Sequence, residues 1–317
     1  MNFFPIKYCF LFCAGIMLLL ACRKEVTTPP GDNEAGTYTD SLTLDGHART
    51  FIITLPEGCN NQALPLVFVL HGGGGTADGT EKLTGFKAIA LREKFILVYP
   101  QGIEKSWNDG RSTTANQMGV NDTAFFRLMI ERISSKYKVN NKMIFCTGIS
   151  NGGFMTSTLA WTMSNFFAAC ASDAATIDSV IVKSNKHPSP VSMMYMHGTL
   201  DWIVPIEGGT ASIGEASGSV FLSHANAVNT WVKIDNINSV PVINTIPDNA
   251  RDGTSIIKSE YTNGSNETSV VSYIIENGGH TWPGGLQYLP EALVGKTTKN
   301  LNASETIWAF FKSHPKL

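Results

Sequence analysis

Six continuous apolar runs constrain this chain more than any other feature of it: LPLVFVLHG (64–72), FILVYP (95–100), KMIFCTG (142–148), FFAACAS (166–172), VSMMYMHG (191–198) and VVSYIIE (270–276). Short segments that never alternate polar with apolar positions are strands buried on both faces, the condition of a parallel sheet covered by helices. Stretches with helical apolar spacing separate them: GFKAIALREK, NDTAFFRLMIERISSKY with Phe125, Leu128, Met129, Ile133 and Tyr137 on one face, FLSHANAVNTWVKI, and finally ASETIWAFFKSH. Strands alternating with helices predict an α/β domain whose ligands bind at the carboxyl ends of the strands. Two alternating segments, YTDSLTLDG and ARTFIITLP, come first and suit a half-exposed antiparallel hairpin. Within the Asn-rich stretch 236–266, VPVINTI and SIIKSEY read as an excursion at the sheet edge, in an order the sequence leaves open. No repeat of fixed period interrupts the pattern, so one large domain is expected.

The start of the chain follows different rules. Lys7 precedes the apolar run YCFLFCAGIMLLLA, too short and too poorly flanked to span a membrane, so residues 1–21 read as a secretion signal. Its end, Leu19-Leu20-Ala21-Cys22, resembles the bacterial lipobox, and that resemblance implies a lipid on Cys22 that anchors the protein to a membrane face without spanning it. Residues 22–36, with Thr, Pro, Gly and charges but no apolar period, are expected to be a flexible tether, and 37–317 the folded domain. The expected location is the cell envelope, as an outer-membrane, surface or periplasmic lipoprotein, or the extracellular space. Lys and Arg number 24 against 26 Asp and Glu with no basic block, which argues against nucleic acid as a partner. Apart from the signal and Cys22, the cysteines are Cys59, Cys146 and Cys170; the last two lie in apolar runs, and buried free thiols are expected, with no metal-ligand spacing.

The chemistry is carried by three turns that each follow an apolar run. Gly148-Ile149-Ser150-Asn151-Gly152-Gly153 matches G-x-S-x-G between a strand and a helix, the turn that strains a serine and exposes its hydroxyl. A serine hydroxyl is a weak nucleophile, so a base must take its proton and an acid must orient that base. In the order serine, acid, histidine, the leading acid is Asp201 in HGTLD, with Asp173 and Asp178 as rivals, and the leading base is His280 in NGGHTW. Of the other histidines, His47, His187, His224 and His314 read as structural or solvated, and His197 as packing against its own turn. The loop His71-Gly72-Gly73-Gly74-Gly75-Thr76 lets backbone N–H groups approach an oxyanion; Gly73 or Gly74 is the expected first donor and Asn151 the second. Neither G-K-[ST] nor G-x-G-x-x-G is present there, which sets nucleotide binding aside.

Taken together, HGGGG, SWNDGR, GISNGGFM, HGTLDWIVP and GGHTWPGG resemble the secreted polyhydroxybutyrate depolymerase and feruloyl esterase group of α/β-hydrolases, over roughly residues 45–315. The resemblance implies an α/β-hydrolase fold with a mostly parallel sheet, the triad Ser150, Asp201 and His280, and no metal or organic cofactor. It also implies an ester substrate, either a plant-polysaccharide side-chain ester of feruloyl or acetylxylan type or a hydroxyalkanoate oligomer. Trp107, Trp202 and Trp282, each beside one of these motifs, are candidate substrate-binding residues, whereas Asn108, Asp109 and Asp122 read as holding the loop beside the site. Two other readings stand beside this one: a peptidase or thioesterase on the same triad, and a non-catalytic glycan-binding lipoprotein on a hydrolase scaffold.

Overall fold

The computed structural model describes residues 34–184, 186–211 and 216–317. The expected signal, the lipid site Cys22 and most of the tether lie outside the described residues. The chain opens with the hairpin β1 (Gly36–Leu44) and β2 (His47–Leu55), then runs β3 (Leu64–Leu70), α1 (Ala77–Thr84), α2 (Phe86–Glu93), β4 (Ile96–Pro100), α3 (Thr114–Gln117), α4 (Asp122–Lys136), β5 (Val139–Ile149) and α5 (Asn151–Thr162). The second half comprises β6 (Ala169–Asp173), α6 (Ser179–Val182), β7 (Ser192–Gly198), β8 (Gly209–Thr210), β9 (Val220–Phe221), α7 (His224–Ile234), β10 (Val242–Ile246), β11 (Ser255–Tyr261), β12 (Val270–Glu276), α8 (Glu291–Val294) and α9 (Ala303–Ser313).

Ten strands form one sheet in the order β1-β2-β4-β3-β5-β6-β7-β12-β11-β10. The six continuous runs are its six parallel strands, β4, β3, β5, β6, β7 and β12, and their burial follows from helices on both faces. Antiparallel strands occupy both edges: the opening hairpin pairs β2 with β4, and the excursion adds β11 and β10 outside β12. One face is packed by α4, α5 and α7 through Phe125, Met129, Leu159 and Trp231, the other by α2 and α9 through Phe86, Ile89, Trp308 and Phe311. Side-chain caps fix the helix starts: Asn121 accepts from Ala124 N–H before α4, Ser223 from Asn226 N–H before α7, and Asn302 from Glu305 N–H before α9.

The chain leaves β3 for β4 on one side and returns to β5 on the other, so the crossover direction reverses between β3 and β5. Such a switch point opens a crevice at the carboxyl ends of the strands, and the loops after β3 and β5 meet there. Cys59, Cys146 and Cys170 are buried free thiols, and burial pushes the Cys146 thiol up to about 12. Cys146 and Cys170 face each other in the register of β5 and β6 without bonding covalently. Among the described residues, no helix is long and apolar enough to cross a membrane.

Candidate active site

Ser150 ends the turn between β5 and α5 at φ 56° and ψ −124°, a backbone strain that few non-glycine residues accept. The neighbouring glycines explain how the turn closes. A Cβ on Gly152 would lie 2.5 Å from His71 O and 2.6 Å from Leu70 O, and one on Gly148 would lie 2.6 Å from Gly152 O. Helix α5 therefore seats directly against the end of β3, with Ser150 half-buried at its start and Asn151 N–H among the first-turn donors that have no partner within the helix.

Asp201 and His280 arrive from the ends of β7 and β12. His280 Nδ1 lies 2.7 Å from Asp201 Oδ2, while Asp201 Oδ1 accepts N–H bonds from Ile203 (3.0 Å) and Val204 (2.8 Å). Both carboxylate oxygens are thus committed, which fixes the plane in which the imidazole lies. The His280 carbonyl is held in turn by the Tyr288 hydroxyl, which donates to it at 2.9 Å. Ser150 and His280 line the same two cavities, of about 480 and 280 Å³, and Gly73 and Tyr288 border both as well. No hydrogen bond joins Ser150 to His280 in this structure, a leg that in enzymes often tightens only when substrate is seated.

The rival acids are placed elsewhere. Asp178 caps α6, accepting from Val180 N–H at 2.6 Å. Asp173 lies beneath the turn, where its carbonyl accepts the Ser150 N–H at 2.9 Å; burial, and then the nearby charge of Asp201, raise its carboxyl well above the usual range. His197 sits behind Asp201, with Nε2 2.8 Å from Val204 O and 3.6 Å from Asp201 Oδ2, and burial lowers its pKa. It packs on its own turn, as its place in HGTLD suggests. His224 is buried, with Nε2 2.7 Å from Ser272 Oγ, and burial lowers it to about 3.

The glycine loop is anchored by its histidine. His71 Nδ1 donates to Gly72 O (2.8 Å), Nε2 accepts from Gly102 N–H (2.9 Å), and its carbonyl accepts the Trp107 indole N–H (2.9 Å). Gly74 cannot serve as an oxyanion donor here, because its N–H is spent on Lys105 O at 2.9 Å; of the two glycines expected, Gly73 is the one whose N–H is left to face the cavities.

The tryptophans correct the sequence-based expectation. Trp107 is fully buried under the loop, its ring 4.8 Å from that of His71 and tilted 35° to it, and Trp282 is buried against Phe86 with its N–H on Ser304 Oγ. Neither side chain faces a cavity. Burying these two indoles removes a large apolar surface from water. Trp202 is exposed and lines neither cavity. Two residues that do border the site received no role from sequence: Tyr288, which no motif signals, and Arg111, the last residue of SWNDGR.

Arg111 belongs to a buried network. Its Nε and Nη2 bind Asp109, whose Oδ2 also accepts from Asn151 Nδ2 at 2.7 Å; Asn151 Oδ1 accepts Trp107 N–H and its Nδ2 donates to Trp107 O. Asp122 similarly accepts from Arg49 and from Asn108 N–H. Asp109 thus pins the loop to Asn151 and Asp122 pins it to Arg49, the loop-holding role expected of both. Among the described residues, no group of three or more His, Cys, Asp or Glu could hold a metal ion.

No family model matches the chain. Over 267 residues it is 28% identical to a protein assigned as esterase NocK of Nocardia uniformis subsp. tsuyamanensis, covering 82% of this chain and 76% of that one. It is 27% identical to feruloyl esterase B of Piromyces equi over 239 residues, 73% of this chain but only 42% of the relative. Among solved structures, the acetyl xylan esterase from Aspergillus awamori superposes with a TM-score of 0.55 at 16% identity, covering 77% of this chain and 94% of that one. Native pOPH gives 0.52 at 16% identity, covering 92% and 91%. The fold is that of the α/β-hydrolases, and the relatives to which the chain is similar are named esterases.

Proposed function

We propose that the protein is an exported serine carboxylic-ester hydrolase that works through Ser150, His280 and Asp201. The observation that carries this reading is the 2.7 Å contact of His280 Nδ1 with Asp201, on the wall of the same cavities that Ser150 lines. Ser150 Oγ attacks the ester carbonyl while His280 Nε2 takes its proton; Nδ1–H stays on the carboxylate, which stabilises the imidazolium. The carbonyl oxygen gains negative charge between Gly73 N–H and Asn151 N–H. His280 then gives its proton to the departing alkoxide, and water repeats the sequence on the acyl-enzyme, restoring the serine.

The relatives named feruloyl esterase and acetyl xylan esterase favour a plant-polysaccharide side-chain ester as substrate. The export signal and a lipid on Cys22 complete the proposal, and both rest on the sequence of residues 1–22. The test compares hydrolysis of a feruloyl ester, an acetylated xylo-oligosaccharide and a hydroxybutyrate oligomer by the protein and by Ser150→Ala. Cleavage of one of the first two, with kcat lost on the order of 10⁶-fold in the variant, is the expected result. Turnover by Ser150→Ala within tenfold of the parent removes the triad, and preference for the hydroxybutyrate oligomer replaces the substrate.

A further inference from the structure

Behind the catalytic acid lies a buried imidazole that the mechanism leaves without a task. Along β7 successive side chains alternate between the faces of the sheet, Met194 and Met196 packing on the side of α9 and Tyr195 on the side of α7. His197 follows Tyr195 and stands buried beneath the turn that leads to Asp201. Helix α7 closes it from behind through His224, whose ring meets that of His197 edge to face with centroids 5.6 Å apart.

The turn is held from two sides. Its first half is bonded to the end of β12 and the loop that carries His280, Thr199 N–H donating to Ile275 O at 2.9 Å and Leu200 N–H to Gly278 O at 2.8 Å. Its second half closes on itself: Ile203 and Val204 give their N–H groups to Asp201 Oδ1, and the Val204 carbonyl turns back to His197 Nε2 at 2.8 Å. A carbonyl can only accept, so the proton of His197 belongs on Nε2; Nδ1 has no hydrogen-bond partner among the described residues. The same Nε2 lies 3.6 Å from Asp201 Oδ2, the oxygen that His280 Nδ1 meets at 2.7 Å. At that distance the approach to Oδ2 is electrostatic, and the hydrogen bond is the one to Val204.

Titratable groups face this point from several elements. Asp201 and His280 meet His197 from their two turns and His224 from α7, while Asp173 at the end of β6 and Tyr288 beyond β12 feel the charge of Asp201. Burial lowers the pKa of both His197 and His224, the second to about 3. A charged His197 would divide the carboxylate between two cations. A neutral N–H leaves the negative charge to His280.

We propose that His197 is a positioning residue for the triad: its Nε2–H ties the Val204 carbonyl back to β7 and thereby keeps the Asp201 carboxylate on His280. This rests on the ester-hydrolase reading above and extends its machinery by one residue, which acts through Asp201 and touches no substrate.

The experiment compares the protein with His197→Gln, whose amide can place an N–H where the imidazole Nε2–H lies, and with His197→Leu, which has no donor. Hydrolysis of 4-nitrophenyl acetate is followed from about pH 5 to 9, where the acid limb of kcat/KM reports His280 in the free enzyme. His197→Leu should lose about 10- to 100-fold in kcat with KM within about twofold. Its acid limb should move down by about half a unit or more, because an imidazolium that has lost its carboxylate gives up its proton more readily. His197→Gln should recover kcat to within about threefold of the parent and return the limb to its place. Equal losses in the two variants, an acid limb that stays in place in His197→Leu, or one that moves up, each overturn the proposal. If His197→Leu does not fold, His197→Gln is joined by a measurement on the parent, heteronuclear NMR of its histidine side chains over the same pH range. It should find His197 neutral with its proton on Nε2 while His280 titrates; an Nδ1–H tautomer, or a His197 that charges together with His280, overturns the assignment. A parent that leaves the ester intact, or a Ser150→Ala variant that cleaves it as fast, refutes the hydrolase reading, whereas an active parent with unaffected variants refutes the role of His197 alone.

Discussion

At the scale of the residue, what distinguishes a catalytic side chain from its neighbour is the direction in which a turn points it. Ser150, Asp201 and His280 were legible as candidates because each follows an apolar run and has glycine nearby. Orientation around those turns was not legible. Trp282 lies two residues past His280 in sequence, yet its ring joins the core under α9, and only the packing of Phe86 and Ser304 against it decides that. Gly74 was misread for a similar reason, since the carbonyl that captures its N–H belongs to Lys105, thirty-one positions away. The core role of Trp282 has a direct check. Trp282→Phe keeps a ring in the site but abandons the bond to Ser304, so unfolding in urea should report a loss of about 1–3 kcal/mol while KM stays within about twofold of the parent. A raised KM with unchanged stability would return Trp282 to the substrate.

At the scale of the element, two buried carboxylates tie segments together with opposite consequences. Asp109 clamps the loop after β4 onto the first residue of α5, so Asp109→Asn should leave Arg111 with half its partner and shift Asn151. We expect kcat to fall about 10- to 100-fold with KM little changed, as when a donor to the transition state is displaced, and steady-state kinetics will check it. Asp235 ends α7 and accepts Val191 N–H at the entry to β7, but burial pushes its carboxyl up to about 7 from an ordinary 3.8. Between those two pH values the folded chain keeps a proton that the unfolded chain has released, so this group lowers stability as pH rises from about 4 to 7 and the cost is constant above 7. Asp235→Asn retains the acceptor for Val191 without the charge. It should be nearly neutral in urea unfolding at pH 4 and stabilising on the order of 2–4 kcal/mol at pH 8; equal effects at both values would show that the carboxyl titrates normally. The strands of the excursion, β10 and β11, were visible as strand-like pieces, whereas β8 and β9 span two residues each and leave no periodicity to find.

At the scale of the whole molecule, the fold was readable because strands buried on both faces of a sheet read as unbroken apolar runs, and this sequence has six. What the whole presents to a large substrate was not readable, because exposure is decided by the loops. Large exposed apolar side chains gather on the segments that follow β7 and β12, the strands that deliver Asp201 and His280: Leu200 and Trp202 on one, Leu286, Leu289 and Leu293 on the other. Apolar residues scattered singly over a surface mean little, but a cluster flanking a cleft is the form that a contact surface takes. Trp202 is half exposed and lies outside both cavities, so a small ester bound at Ser150 does not reach it. On the proposed reading, a polysaccharide carrying the ester would extend beyond the cavities to the rim where Trp202 lies. Trp202→Ala should therefore keep kcat/KM within about twofold on a soluble methyl ester while losing up to about tenfold on the ester borne by xylan, the worth of one desolvated aromatic contact. Equal loss on both substrates would place the indole on the path that orients Asp201, and no loss on either would leave the rim without a part in binding.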